Sequence, residues 1–225
     1  MKTRALALIL CICIFACLSG CGKPDIIGNN LVMQAREDFE KLDSAQIVMT
    51  NTDTDKVEQT FTFKYDDDDV LVYKDWKLVD GKENIEFNNG EINVYYQNEK
   101  YYQYKTGDDK FIKYTRTKTH KKTQDAMLTY IPSAITDAQL KKGDGSKELT
   151  HVYDVTKVNP TVPKDAEATG FAVKFVFDSR DKLDYFTETT LYKTKDGTEH
   201  RLSYKTEIKD KNSVGEIENI IKEQA

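Results

Sequence analysis

The chain has 225 residues, a formal charge of −5, 32% charged side chains and four cysteines. A surface of this sign is repelled by phosphate backbones, so charge carries it neither to nucleic acid nor to anionic lipid. All four cysteines, Cys11, Cys13, Cys17 and Cys21, fall within the first 21 residues. The remainder has no disulfide framework and must be stabilised by a packed core, for which roughly 200 residues suffice.

Lys2 and Arg4 open the chain, Ala5 to Leu18 is an unbroken run of apolar residues and cysteine, and Ser19-Gly20 precede Cys21. A basic start, an apolar centre and a small-residue end are the three parts of a secretory signal. The run is shorter than the roughly 20 apolar residues of a spanning helix. Leu18-Ser19-Gly20-Cys21 resembles a bacterial lipobox, which implies cleavage before Cys21 and attachment of acyl chains such as palmitate to that cysteine. An ordinary signal cleaved elsewhere, or an uncleaved anchor, is the alternative. Loss of residues 1–20 removes Lys2 and Arg4, the only charges there, and takes the formal charge from −5 to −7. The expected organisation is a signal over 1–20, a lipidated tether over 21–30 and one domain over 31–225. The expected location is the extracytoplasmic face of a cell membrane, held by two or more acyl chains.

Leu31, Ala35, Phe39 and Leu42 recur at helical spacing, which predicts a helix over Leu31 to Leu42 capped by Asn30. From Ala45 to Thr117 the period becomes two. Val57, Gln59, Phe61, Phe63 and Tyr65 draw one strand, and Asp66 to Asp69 a turn. Val70 to Lys74 and Trp76 to Val79 read as two short strands before the turn at Asp80-Gly81. Ile85 and Phe87 lead into Asn89-Gly90, a strong hairpin signal, with Ile92, Val94 and Tyr96 returning. Tyr102 and Tyr104 and then Phe111 to Thr117 continue the meander. Thr123 to Lys142 predicts a helix to about Tyr130, a break at Pro132 and a second helix over Thr136 to Lys141. Leu149 to Val158 is a strand. Phe171, Val173, Phe175 and Phe177 give the cleanest alternation. Leu183 to Thr194 and Thr198 to Ile208 form a hairpin about Asp196-Gly197. Ser213 and Glu216 have capping-box spacing before a short final helix.

The order predicts an α+β fold: a strongly curved antiparallel sheet, a half-barrel, with the N-terminal and central helices packed in its concavity. It resembles the LolA-type half-barrel of bacterial lipoprotein carriers and of lipid-carrying envelope lipoproteins of mycobacteria, over Leu31 to Ile221. The resemblance rests on topology, length and a lipidated start. It implies an apolar cavity between sheet and helices that holds acyl chains. No ligand-binding residue is carried over, because no motif aligns one. The soluble carrier of that group is not lipid-anchored, whereas this chain carries the anchor signal.

Phe61, Phe63, Phe87, Val94, Phe175 and Tyr204 are candidates for the lining of such a cavity. They are equally core candidates, because a cavity exists only where the helices leave the concavity unfilled. Tyr96 and Tyr102 are candidates for an exposed aromatic patch that binds wall glycan or another envelope protein. Tyrosine's fit to a half-wet sheet explains them as well. His120, His151 and His200 lie far apart without a second ligand at metal spacing. Asp66 to Asp69, and Asp178, Asp181 and Asp184, read as solvated turns rather than calcium loops. There is no serine-nucleophile signature and no glycine-rich phosphate loop. The reading is a non-catalytic, membrane-anchored lipoprotein that takes no cofactor and no nucleic acid, and binds a lipid-like ligand or a protein partner.

Overall fold

The apolar stripe at helical spacing folds as drawn. Helix α1 (Asn29–Glu40) buries Leu31, Ala35 and Phe39, and Leu42 is buried just beyond it; Val32, outside the expected stripe, is fully buried as well. The helix start differs from expectation. Asn30 lies inside α1, and the N-cap is Gly28, at φ +75 and with no side-chain cap. Gly28 also sits so close to the sheet that a Cβ there would stand 2.4 Å from Leu149 Cδ2. Both the left-handed backbone and the close approach demand glycine at this position.

In this computed structural model the backbone is described for residues 26–65, 67, 71–78, 91–97, 100–105, 112–115 and 130–215, and side chains for 26–65, 67 and 130–215. After α1 come β1 (Ser44–Asn51), β2 (Lys56–Tyr65), β3 (Leu71–Leu78), β4 (Glu91–Gln97), β5 (Lys100–Lys105) and β6 (Ile112–Thr115). A 3-10 turn (Pro132–Ala134) leads to β7 (Ile135–Gly143), β8 (Ser146–Tyr153), the one-turn helix α2 (Val155–Val158), β9 (Glu167–Asp178), β10 (Leu183–Lys193) and β11 (Glu199–Lys209). The strands form one open, curved antiparallel sheet in the order β6-β5-β4-β3-β2-β1-β11-β10-β9-β8-β7. Two meanders thus run outward from a central seam where β1 pairs with β11. The two edges, β6 and β7, are consecutive in the chain.

Three expected elements are corrected. Thr136 to Lys141 is part of strand β7, not a helix. Ala138 and Leu140 share a face at the strand period, Leu140 packs on the core, and Asp137 to Gly143 pair residue by residue with β8. Val155 to Val158 is helical, not extended. The Asp154 side chain accepts from Thr156 N and Oγ1, and Asn159 at φ +46 ends the turn. Trp76 continues the strand that contains Lys74, because β3 pairs without a break against β2 from Leu78 to Tyr73. The expected helix over 123–130 falls outside the described residues except for Tyr130. The hairpin around Asn89-Gly90, with Phe87, and nearly all of the final helix also lie outside them, as does Cys21.

Helix α1 lies across one face of the sheet and knits two core clusters. Its first half packs Leu31, Val32 and Ala35 on Leu149, Val173, Phe175, Phe177 and Phe186. Its second half packs Phe39, with Leu42, on Ala45, Ile47, Phe63 and Tyr65. Ile208 of β11 touches both clusters. Phe63 holds this seam through edge contacts with Phe39 at 5.9 Å and Tyr65 at 5.7 Å between ring centroids. Among the described residues no helix is long and apolar enough to cross a membrane.

Candidate functional site

The side of α1 that faces the β9–β10 turn does not close on the sheet. A groove of about 350 Å³ remains there, at the small end of the roughly 300–1,000 Å³ typical of small-molecule sites. Its apolar floor is Ala35, Phe39, Leu42, Leu183 and Ile208, drawn from α1, the chain just after it, and the ends of β10 and β11. Its rim is charged: Asp38, Asp178 and Asp184 against Arg180, Lys182 and Lys211. Among the described residues three carboxylates and three cations balance, so the rim is polar with no net charge.

The rim is built by the tight β9–β10 turn. Asp178 Oδ1 accepts from the backbone N–H groups of Arg180 (2.8 Å) and Lys182 (2.9 Å), and Asp181 takes a left-handed conformation at φ +63. The Lys182 backbone N–H is the largest influence holding the Asp178 carboxyl below its ordinary pKa. Lys182 then reaches over to helix α1, its Nζ 2.7 Å from Asp38 Oδ2, and bridges the mouth of the groove. Burial works against the ionised Asp38, but hydrogen bonds from Lys182 and Gln34 prevail and keep its pKa lowered. Lys211 Nζ donates to Leu183 O at 3.4 Å. Among the described residues the lining contains no serine, cysteine or histidine; what it offers is apolar contact and charge pairing.

Of the residues expected to line a cavity, Phe61, Phe63, Phe175 and Tyr204 are not part of this groove's lining. Phe63 and Phe175 are fully buried and fill the space beneath α1. Phe61 is half-buried against the Phe63 cluster. Tyr204 lies on the same face of the sheet, two strands from Phe175's β9, and is half-buried; burial first, and the Glu58 carboxylate second, push its phenol up to about 12. Glu58 also accepts from Asn51 Nδ2 at 2.8 Å. Phe87 is outside the described residues. Val94, Tyr96 and Tyr102 are described as backbone only, on β4 and β5. There the register opposes Tyr95 to Tyr102 and Tyr96 to Tyr101. Paired positions share a face and neighbours alternate, so Tyr96 and Tyr102 occupy positions on opposite faces. A single patch holding both is therefore corrected: alternation separates them.

Asp181 pairs with Lys147 and Asp178 with Arg180, while Asp184 joins the groove rim. Asp181 and Asp178 thus balance basic partners. No group of three or more potential metal ligands occurs among the described residues. His200 stacks on Tyr192 at 5.1 Å. His151 is fully buried between Tyr130, Tyr153 and Phe175, its Nε2 2.9 Å from Ile27 O while Nδ1 has no partner among the described residues. Burial holds its pKa down, so the neutral ring donates from Nε2 to Ile27 O and pins the residues entering α1. The sequence carried no signal for the groove residues Ala35, Asp38, Leu183 and Ile208. They come together only through the β1–β11 seam and the crossing of α1.

No protein-family model matches the chain, and no curated protein matches it. Among solved structures, it is similar to the Mycobacterium tuberculosis lipoprotein LppX, with TM-score 0.46 and 12% identity over 84% of this chain and 97% of that one. It is also similar to LprF from Mycobacterium bovis, with TM-score 0.44 and 11% identity over 88% of this chain and 99% of that one.

Proposed function

We propose that this chain is a lipid-anchored envelope protein, one domain on a short tether from Cys21, that holds the apolar part of an amphiphilic ligand without transforming it. The carrying observation is the groove beside α1. Among the described residues its floor is five apolar side chains, its rim is charge-balanced, and its lining holds no serine, cysteine or histidine. An acyl chain gains from the floor by burial, at roughly 25 cal/mol per Å² of apolar surface removed from water. The balanced rim suits a headgroup that is neutral or zwitterionic, because any net charge would meet an equal number of like charges. The leader supports the anchor: the run from Lys2 to Cys21 has every part of a lipoprotein signal.

The test is the purified full chain. Organic extraction and mass spectrometry are expected to release an amphiphile in stoichiometric amount. Ala35→Phe, which inserts a ring into the groove, is expected to lower that amount at least tenfold while the far-ultraviolet spectrum stays unchanged. An empty extract from wild-type protein, or the same yield from Ala35→Phe, overturns the reading. Cys21→Ser tests the anchor separately: the folded domain should leave the membrane fraction or remain unprocessed. A processed Cys21→Ser protein that stays on the membrane contradicts it.

A further inference from the structure

Among the described residues, strand β7 pairs with β8 on one side only and forms an edge of the sheet. The two-residue turn Asp144-Gly145 makes Gly143 and Ser146 the closing pair of the β7–β8 hairpin. Hydrogen-bonded pairs alternate along an antiparallel ladder. The odd residues of β7 therefore bond to β8, and the backbone groups of Ala138, Leu140 and Lys142 face the free edge. One contact agrees with this parity: the Ala138 N–H is taken by the side chain of its own neighbour, Asp137 Oδ1, at 2.9 Å.

Such an edge is a template for another strand, and its sequence is complementary to itself. When two copies are laid antiparallel about Gln139, Ala138 meets Leu140 of the other copy as a hydrogen-bonded pair. Asp137 meets Lys141 twice, once on each side of the axis. Opposite charges directly across a strand pair are favourable, and a two-fold interface demands this reciprocity. The faces match as well. Ala138 and Leu140 are half-buried on the side that holds the core, while Asp137, Gln139 and Lys141 are exposed on the other. Shifting the register by one residue would bring Asp137 opposite Leu140 or Lys142 and mismatch the faces.

We propose that β7 is a self-association edge, at which two copies of this chain pair antiparallel about Gln139. In the single chain Asp137 closes the edge by satisfying the outward N–H of Ala138. On pairing, the carbonyl of the other copy's Leu140 replaces it, and Asp137 turns to the other copy's Lys141. This does not depend on what fills the groove.

Cysteine cross-linking tests the register directly. A disulfide needs Cα atoms within about 7 Å. Only position 139 meets itself, whereas 142 and its copy lie six residues apart, about 20 Å. Full-length Gln139→Cys, oxidised under mild conditions, is expected to give at least tenfold more covalent dimer than the parent chain. Lys142→Cys should give no more dimer than the parent chain, whereas Asp137→Cys and Lys141→Cys, each about 13 Å from its own copy, should cross-link above that level only when mixed. Asp137→Lys should lower dimerisation of the Gln139→Cys chain at least fivefold, and adding Lys141→Asp should restore it. No dimer from Gln139→Cys, equal cross-linking from Lys142→Cys, or no recovery in the charge-swapped chain overturns the proposal.

Discussion

Replacing Gly28 by alanine should destabilise the fold through two separable effects. At φ +75 any L-residue suffers the left-handed backbone penalty, about 1–2 kcal/mol. The new Cβ would also stand 2.4 Å and 2.6 Å from the Cδ atoms of Leu149, a fully buried side chain in the cluster under α1. Such overpacking costs about 1–3 kcal/mol. Gly197 supplies the control: its φ is +84, and a Cβ there meets nothing within 4 Å. In urea titrations Gly197→Ala should therefore lose about 1–2 kcal/mol and Gly28→Ala about 2–5 kcal/mol, with unchanged m-values. A cycle with Leu149→Ala isolates the clash, because the double variant should be less destabilised than the sum by about 1–3 kcal/mol. Equal losses at Gly28 and Gly197, or strict additivity with Leu149→Ala, would refute the seating of the α1 N-terminus on β8.

His151 titrates below its ordinary 6.5 because burial penalises the imidazolium. The unfolded chain therefore takes up the proton first. Stability should be full above about pH 6.5 and fall as the pH drops toward the folded-state value, with a slope of at most about 1.4 kcal/mol per pH unit from this group. His151→Phe should remove that component of the slope in urea melts taken at several pH values; an unchanged slope would contradict it. Phe63→Ala removes a fully buried ring from the seam beneath α1 and should cost about 3–5 kcal/mol in the same melts, where a loss under 1 kcal/mol would show that the seam is not packed. Lys182→Met removes the cation that spans the groove mouth. Its side chain is 55% exposed, so global stability should change by less than about 1 kcal/mol. The Asp38 carboxyl, read by NMR titration, should rise toward its ordinary value.

The stripe Leu31, Ala35, Phe39 and Leu42 was legible because helix periodicity is local, and all four side chains are buried. Phe171, Val173, Phe175 and Phe177 declared β9 in the same way, and Asp196-Gly197 the β10–β11 hairpin, with Gly197 at positive φ. Legibility failed where the deciding partner is distant in sequence. Ile135 and Ala138 fit a helical stripe as well as a strand, and pairing with β8 decides between them. Asn30 is the better cap by residue type, but the approach of Gly28 to Leu149 fixes the start of α1. The alternation of Phe61, Phe63 and Phe175 marked a buried face and could not distinguish cavity from packed core. The groove lies instead where α1 diverges from the β9–β10 turn, and its rim of Asp38, Asp178, Arg180 and Lys182 looks like ordinary surface charge in the sequence. The tyrosines of β4 and β5 were visible, but separating Tyr96 from Tyr102 required the cross-strand register.

The most direct test of the account is where a bound acyl chain lies. A photoreactive fatty acid bearing a diazirine on its tail, irradiated with the full-length protein and mapped by peptide mass spectrometry, should label residues 35–42 and 178–184 and lose that labelling in Ala35→Phe. Labelling that avoids both segments, or that persists undiminished in Ala35→Phe, would contradict a ligand held beside α1.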